Sequence, residues 1–306
     1  MNEEMESSGP SRDLPSANDE HYQLYRDVRE AISSLPVYFR TETHISGIMA
    51  TDLHTLNTVL GATIEEQVVR TLNLIRNTWD PHENYALYSF VRQAQTFPDV
   101  LLRRTSTEEI LLGIELKGWY LLAKEAEPSL RFQATAAACA RRDLIAVVPW
   151  VLGNVISGSP ILFEPFVESA KYAADYRNYH WQHVRKTKQD TRLEIPIGVD
   201  PYPSKADQIL DRPHSDGGGN FGRLARTGMM DSYIQKLDEV QLCGVKTAYW
   251  RQFLKAFQES TTDAEAHAAL GRLNQRVRQT TDIASPKAQS ALVIMAELER
   301  LLDMPE

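Results

Sequence analysis

The sequence predicts an α/β protein in which a β-hairpin is followed by a buried strand and the C-terminal part is helical. Two observations carry the α/β assignment. In Phe97–Arg103 and Ile110–Lys117 the strand period puts Glu115 and Lys117 on one face and lets Val100 and Leu102 pack with Leu112, Ile114 and Leu116 on the other. Asp143–Trp150 is apolar on both faces, as a central strand covered on both sides must be. A third observation, apolar residues at three- and four-residue intervals over Asp231–Phe257, Ala264–Thr280 and Pro286–Leu302, makes the C-terminal part helical.

Taken in order, Met1–Glu20 is acidic, rich in Ser and Pro and without an apolar run, and reads as a disordered tail rather than a signal peptide. Tyr22, Tyr25, Val28 and Ile32 recur at helical spacing and predict a helix over His21–Ser33. Val37–Met49 has no clear period. A helix is expected from Ile64 to about Asn77, with Thr63 as N-cap, Glu66 completing a capping box, and Val68, Leu72 and Ile75 as its buried stripe. Trp79–Asn84 is a turn leading into a strand at Tyr85–Val91. After the hairpin, Ser129 is placed to cap a helix that runs through a block of alanines to Arg142. Phe163–Arg185 reads as one long helix whose end interleaves Tyr, Trp and His with Arg and Lys, a composition suited either to nucleic-acid contact or to an ordinary half-buried helix. Residues 190–230 are loop-rich and hold the run Gly217–Arg223, which lacks the Gly-Lys-Ser/Thr ending of a nucleotide-binding loop.

The hairpin carries the chemistry. If its turn centres near Thr107, Asp99 falls directly opposite Glu115, and cross-strand Cβ atoms lie roughly 4.5–5.5 Å apart. Lys117 shares a face with Glu115. Two carboxylates at that separation suit a hard divalent cation, and a neighbouring ammonium suits a water or a developing phosphate charge. The alternative is an amphipathic hairpin with solvated charges.

Pro98-Asp99 followed by Glu115-Leu116-Lys117 resembles the PD-(D/E)xK signature of the nuclease superfamily that includes most type II restriction endonucleases. The resemblance spans about residues 60–152, a third of the chain. It implies a restriction-endonuclease-like core, a mixed central sheet flanked by helices, in which the 143–150 strand lies parallel to the 110–117 strand by way of the intervening helix. It further implies a Mg²⁺-dependent endonuclease cutting double-stranded DNA to 5′-phosphate and 3′-hydroxyl ends, as a sequence-specific restriction enzyme in host defence. Asp99, Glu115 and the main-chain carbonyl of Leu116 would hold the metal, and Lys117 would orient the attacking water. Gly61, Glu65, Val68 and Leu72 resemble the first-helix pattern of these nucleases, whose glutamate reaches toward the metal; the competing reading is that Glu65 complements the helix N-terminus. A repair or recombination nuclease on branched or damaged DNA, and a non-catalytic DNA-binding protein on a nuclease fold, are the alternatives.

Composition bounds these readings. With 42% hydrophobic and 24% charged residues and no run long enough for a membrane span, the chain reads as an ordinary globular protein that makes no membrane contact. Cys139 and Cys243 are too few for a disulfide framework, which points to a cytoplasmic location. The net charge of -8 is unusual for a DNA-binding protein, so any DNA contact must come from local basic patches. Arg131 and Gln133 behind the hairpin, Arg185 and Lys186 at the end of the aromatic stretch, and Arg223 and Arg226 beside the glycine run are the candidates. The domain organisation expected is a tail (1–20), a nuclease core (21–160) and a recognition and helical region (161–306). The last includes the candidate surface for a homodimer, since a two-fold pair of single-strand-cutting sites is the simplest route to a double-strand cut.

Overall fold

The structure is a computed structural model that describes residues 9–47, 53–93, 96–186, 190–203, 209–255 and 261–280, with a few positions between 286 and 297. Its centre is a mixed six-stranded sheet in the order β1 (Tyr88–Arg92), β2 (Val100–Arg104), β3 (Ile110–Tyr120), β4 (Leu144–Leu152), β5 (Pro160–Leu162), with β6 (Phe166–Ser169) also pairing β4. All nine residues of β4 are buried, as its two-sided apolar sequence requires. β3 and β4 are parallel and the remaining pairs antiparallel. The hairpin pairs Val100 with Ile114, Leu101 with Gly113 and Leu102 with Leu112, so the next step sets Asp99 opposite Glu115. The register read from the sequence is the one observed, with a bulge between Leu102 and Arg103 at the turn end.

Helix α1 (Tyr22–Ser33) buries Leu24, Tyr25, Val28, Ala31 and Ile32. It is followed by the short α2 (Leu35–Tyr38) and by an isolated bridge from Ile45 to Gly158, which gives the unassigned 37–49 region its form up to residue 47. Helix α3 spans Leu53–Leu74, beginning eleven residues before the expected start at Ile64. Thr63 and Glu66 therefore lie inside the helix and form no capping box; the helix continues upstream through Gly61, and the pattern Thr-x-x-Glu here is internal. Leu60, Ile64, Val68 and Leu72 form its buried row. The last turn breaks at Ile75 and resumes as α4 (Arg76–Trp79).

Two expected helices are not as read. The link from β3 to β4, where a helix was expected from Ser129 to Arg142, contains only a 3-10 turn at Ala136–Ala138. The stretch before it is extended because its backbone groups have distant partners: the Phe132 N–H donates to Gly222 O, the Asp211 N–H to Gln133 O, and the Thr135 N–H to Ile209 O. Phe163–Arg185 is not one helix either. It begins as β6, and α5 (Ala170–Tyr179) starts where Ser169 caps Tyr172 N–H and ends in a π turn at His180–Val184. A small two-stranded ladder joins β7 (Leu193–Glu194) to β8 (Arg212–Pro213).

The C-terminal stretch Asp231–Phe257 divides into α6 (Asp231–Asp238), a hairpin of β9 (Gln241–Leu242) and β10 (Val245–Lys246), and α7 (Thr247–Leu254). Helix α8 (Asp263–Thr280) packs on α7. Pro286–Leu302 lies mostly outside the described residues. Residues 9–20 are not a loose tail: Arg12 pairs with Glu168 at 2.9 Å, Arg141 with Asp13 at 3.0 Å, and Arg142 with Asp19 at 3.3 Å. Serine and proline there accompany specific ion pairs that composition alone does not reveal.

Gly113 marks the tightest point of the hairpin. A Cβ there would overlap the Pro98 ring and lie 3.0 Å from an Asp143 carboxylate oxygen, which itself accepts the Gly113 N–H at 2.7 Å. Gly113→Ala should destabilise the protein by about 1–3 kcal/mol in urea denaturation. Gly61→Ala, in open space on α3, should be neutral or stabilising by up to about 1 kcal/mol. Equal stability of the two variants would contradict this close packing.

Candidate active site

The motif side chains collect at the start of β2 and the middle of β3. Asp99 lies one residue before β2, where its Oδ2 accepts the Leu116 N–H at 3.1 Å, so a carboxylate continues the ladder where the backbone pairing stops. The turn leading to it is fixed by Gln93, whose N–H donates to Asp99 O and whose Nε2 donates to Pro98 O, both at 2.8 Å. Glu115 stands opposite Asp99 by the register of the pair. Lys117, two residues on and a third exposed, donates to Glu65 Oε1 at 3.1 Å.

Glu65 is brought in by α3. Its Oε1 also accepts the Gly118 N–H at 2.9 Å, and its Oε2 lies 3.9 Å from Arg92 Nη2. Gly118 lies under this approach, and a Cβ there would be in ordinary van der Waals contact, 3.5 Å from Gly61 O and 3.6 Å from Glu65 Oε1. The helix N-terminus plays no part, because Glu65 is in the fourth turn of α3.

The electrostatics are those of carboxylates crowded together away from water. Burial raises the Asp99 carboxyl above its ordinary range against the Leu116 N–H, with the charge of Glu65 adding to the rise. Burial likewise raises Glu115, and the charge of Asp99 raises it further. Lys117 and Arg92 offset the rise only in part, and an all-oxygen donor set suits a hard divalent ion. Among the described residues no three His, Cys, Asp or Glu side chains are already gathered as metal ligands. The pair would therefore rely on water and backbone oxygen, a pattern that Mg²⁺ accepts.

Asp143 supports the hairpin from β4's side: its carboxylate accepts the N–H groups of Gly113 and Ala140 and the hydroxyl of Tyr202, each at 2.7 Å. Sequence reading missed Asp143, Gln93 and Arg92. Arg92 was within reach of it, because the β1–β2 register sets Arg92 opposite Val100, one step from Asp99. Nothing local marks Asp143 and Tyr202 as partners 59 positions apart.

The six residues expected to meet DNA separate into two groups. Arg131 and Arg223 form an antiparallel bridge, Arg131 also donates to Gly219 O, and Gln133 packs against Gly222. Arg223 and Arg226 both approach Glu127, at 3.5 and 2.5 Å, and Arg185 stacks on Trp181 with its guanidinium carbon 3.3 Å from the ring centroid. Arg131, Gln133, Arg223 and Arg226, separated by up to 95 positions, are thus brought into one region. Lys186 is exposed beyond the π turn. Much of the aromatic and basic stretch is structural. Arg177 is buried, pairs with buried Asp211, and donates to the carbonyls of Phe132 and Ala134 at 2.8 and 3.0 Å, while Trp181 is 4% exposed.

No family model, no curated protein and no solved structure matches the chain.

Because Arg177 holds the crossover segment by neutralising a buried charge, Arg177→Met should cost about 3–5 kcal/mol of stability. Chemical denaturation checks this, and a loss below 1 kcal/mol would show that Asp211 is not dependent on the guanidinium.

Proposed function

We propose that the protein is a Mg²⁺-dependent endonuclease that hydrolyses phosphodiester bonds in double-stranded DNA, with sequence-specific restriction as its role. The observation that carries the reading is the hairpin register. It sets Asp99 beside Glu115, with Lys117 two residues on, in the arrangement of the motif that the sequence resembles. The acids fit the ion for the reasons of charge and donor type given above. Asp99, Glu115 and the Leu116 carbonyl would hold it. When bound, the metal supplies a water of lowered pKa and neutralises charge that develops on the scissile phosphate.

The chain's own groups do the rest. The Lys117 ammonium, fixed by Glu65, is placed to hold a water or a phosphate oxygen beside the acids. Gln93 and the Leu116 N–H keep Asp99 from turning away. Arg131, Gln133, Arg185, Lys186, Arg223 and Arg226 offer contacts to the DNA backbone, and Phe132 links them to the hairpin, since its ring lies 5.5 Å from that of Phe97.

A homodimer remains the simplest arrangement for cutting both strands. Among the described residues of the helices considered for its surface, Leu237, Trp250, Phe253, Leu254, Leu270 and Leu273 are buried within the chain, while Val293 is exposed. The second reading, a DNA-binding protein that does not cut, is favoured by one observation, the engagement of Lys117 by Glu65. No helix among the described residues is long and apolar enough to cross a membrane.

Digestion of methylation-free plasmid with Mg²⁺ tests the proposal. Discrete bands with 5′-phosphate ends are expected, and Asp99→Ala or Glu115→Ala should reduce cleavage by at least about a hundredfold with the fold retained. Lys117→Ala should lower turnover far more than DNA affinity. Cleavage confined to branched substrates would favour repair, and absence of cleavage with any divalent ion would favour the binding protein.

A further inference from the structure

Away from the carboxylates, the end of α5 and the glycine-rich loop enclose a cavity of about 230 Å³ whose wall is rich in hydrogen-bond donors. Arg185, Arg223 and Arg226 line it together with Trp181 and His180. Against three guanidinium groups stands one carboxylate in direct contact, Glu127, which Arg223 and Arg226 share. Asp216, the other acid nearby, directs its oxygens to the N–H groups of Asn220 and Phe221, the first at 2.7 Å. The cavity wall therefore carries excess positive charge.

The indole N–H of Trp181 and the Arg185 Nε are buried without a hydrogen-bond partner and are closed off from the cavity, so the charge offered to it is that of the guanidinium groups. The ring of Trp181 offers no surface to a base. Arg185 covers one face at 3.3 Å and Phe221 meets it edge-on at 5.1 Å. At about 230 Å³ the cavity is also below the range of roughly 300–1,000 Å³ typical of sites for whole small-molecule ligands. Compact size and planar arginine forks match a tetrahedral oxyanion.

We propose that this cavity is a binding site for a single phosphate group, distinct from the Asp99–Glu115 site and independent of whether that site cleaves DNA. The phosphate comes either from the end of a DNA strand or from free phosphate in solution, and the donors are the same for both.

The test is calorimetric titration of inorganic phosphate into the metal-free, full-length protein at low ionic strength, with Asp99→Asn, Arg185→Gln and Arg223→Gln variants alongside. Saturable binding is expected for the wild type and unchanged for Asp99→Asn. Arg185→Gln and Arg223→Gln should each weaken it by about tenfold or more, the effect of one charge-assisted hydrogen bond, with the unfolding midpoint unchanged in phosphate-free buffer. Absence of saturable binding to the wild type, or wild-type binding by both arginine variants, would overturn the proposal. A second titration uses short duplexes that differ only in a 5′-phosphate or 5′-hydroxyl. Preference for the phosphorylated duplex, lost in Arg185→Gln and competed by inorganic phosphate, assigns the site to a DNA end. Equal affinity for the two duplexes, with phosphate binding intact, assigns it to free phosphate. Phosphate binding in a protein that cuts no DNA would leave this site standing and remove the nuclease reading alone.

Discussion

The pairing of β2 with β3 is the constraint on which the rest depends. It opposes Asp99 and Glu115, and it does so in a place where burial penalises both charges. Such an arrangement is unfavourable by itself, so the surrounding structure must hold it. Gln93 fixes the approach to Asp99, the Leu116 N–H holds its carboxylate, and Gly113 lets Pro98 lie flat on the strand with Asp143 behind it. Strain or uncompensated charge that persists in a packed setting is a common mark of a functional site.

The hairpin was legible because its information is local. Strand alternation places every side chain on a face, and a short connection fixes the register, so the opposition of Asp99 and Glu115 follows from a dozen neighbouring residues. The central strand was legible for a similar reason, since only a doubly covered strand tolerates Leu144–Leu152 without a polar face. The regions misread depend on partners far along the chain. Ala134 and the run Ala136–Ala138 favour a helix by intrinsic preference, yet pairing of 132–135 with 209–211 and 222 holds the start of that stretch extended. The start of the 163–185 stretch pairs with β4 for the same reason. Thr63 and Glu66 have the spacing of a capping box, and spacing alone does not say that the helix begins there.

The polar site shows the same division. The order Asp, Glu, Lys was visible, whereas the contact of Glu65 with Lys117 across 52 positions needed α3 to approach over Gly118. The basic residues were visible as scattered pairs. The convergence of Arg223 and Arg226 on Glu127 follows from the extended crossover, the feature in which the structure departs from the helix that the family resemblance implies. One irregular segment thus couples the carboxylate hairpin, through Phe97 and Phe132, to the arginine-lined cavity.

Everything proposed for the hairpin rests on its carboxylates having affinity for a divalent ion. Titration of Mn²⁺, a spectroscopically visible substitute for Mg²⁺, into wild type and Asp99→Ala followed by electron paramagnetic resonance addresses that directly. The account predicts one saturable site per chain in the wild type, displaced by Mg²⁺ and lost in Asp99→Ala. Absence of such a site, or its survival unchanged in Asp99→Ala, would contradict it.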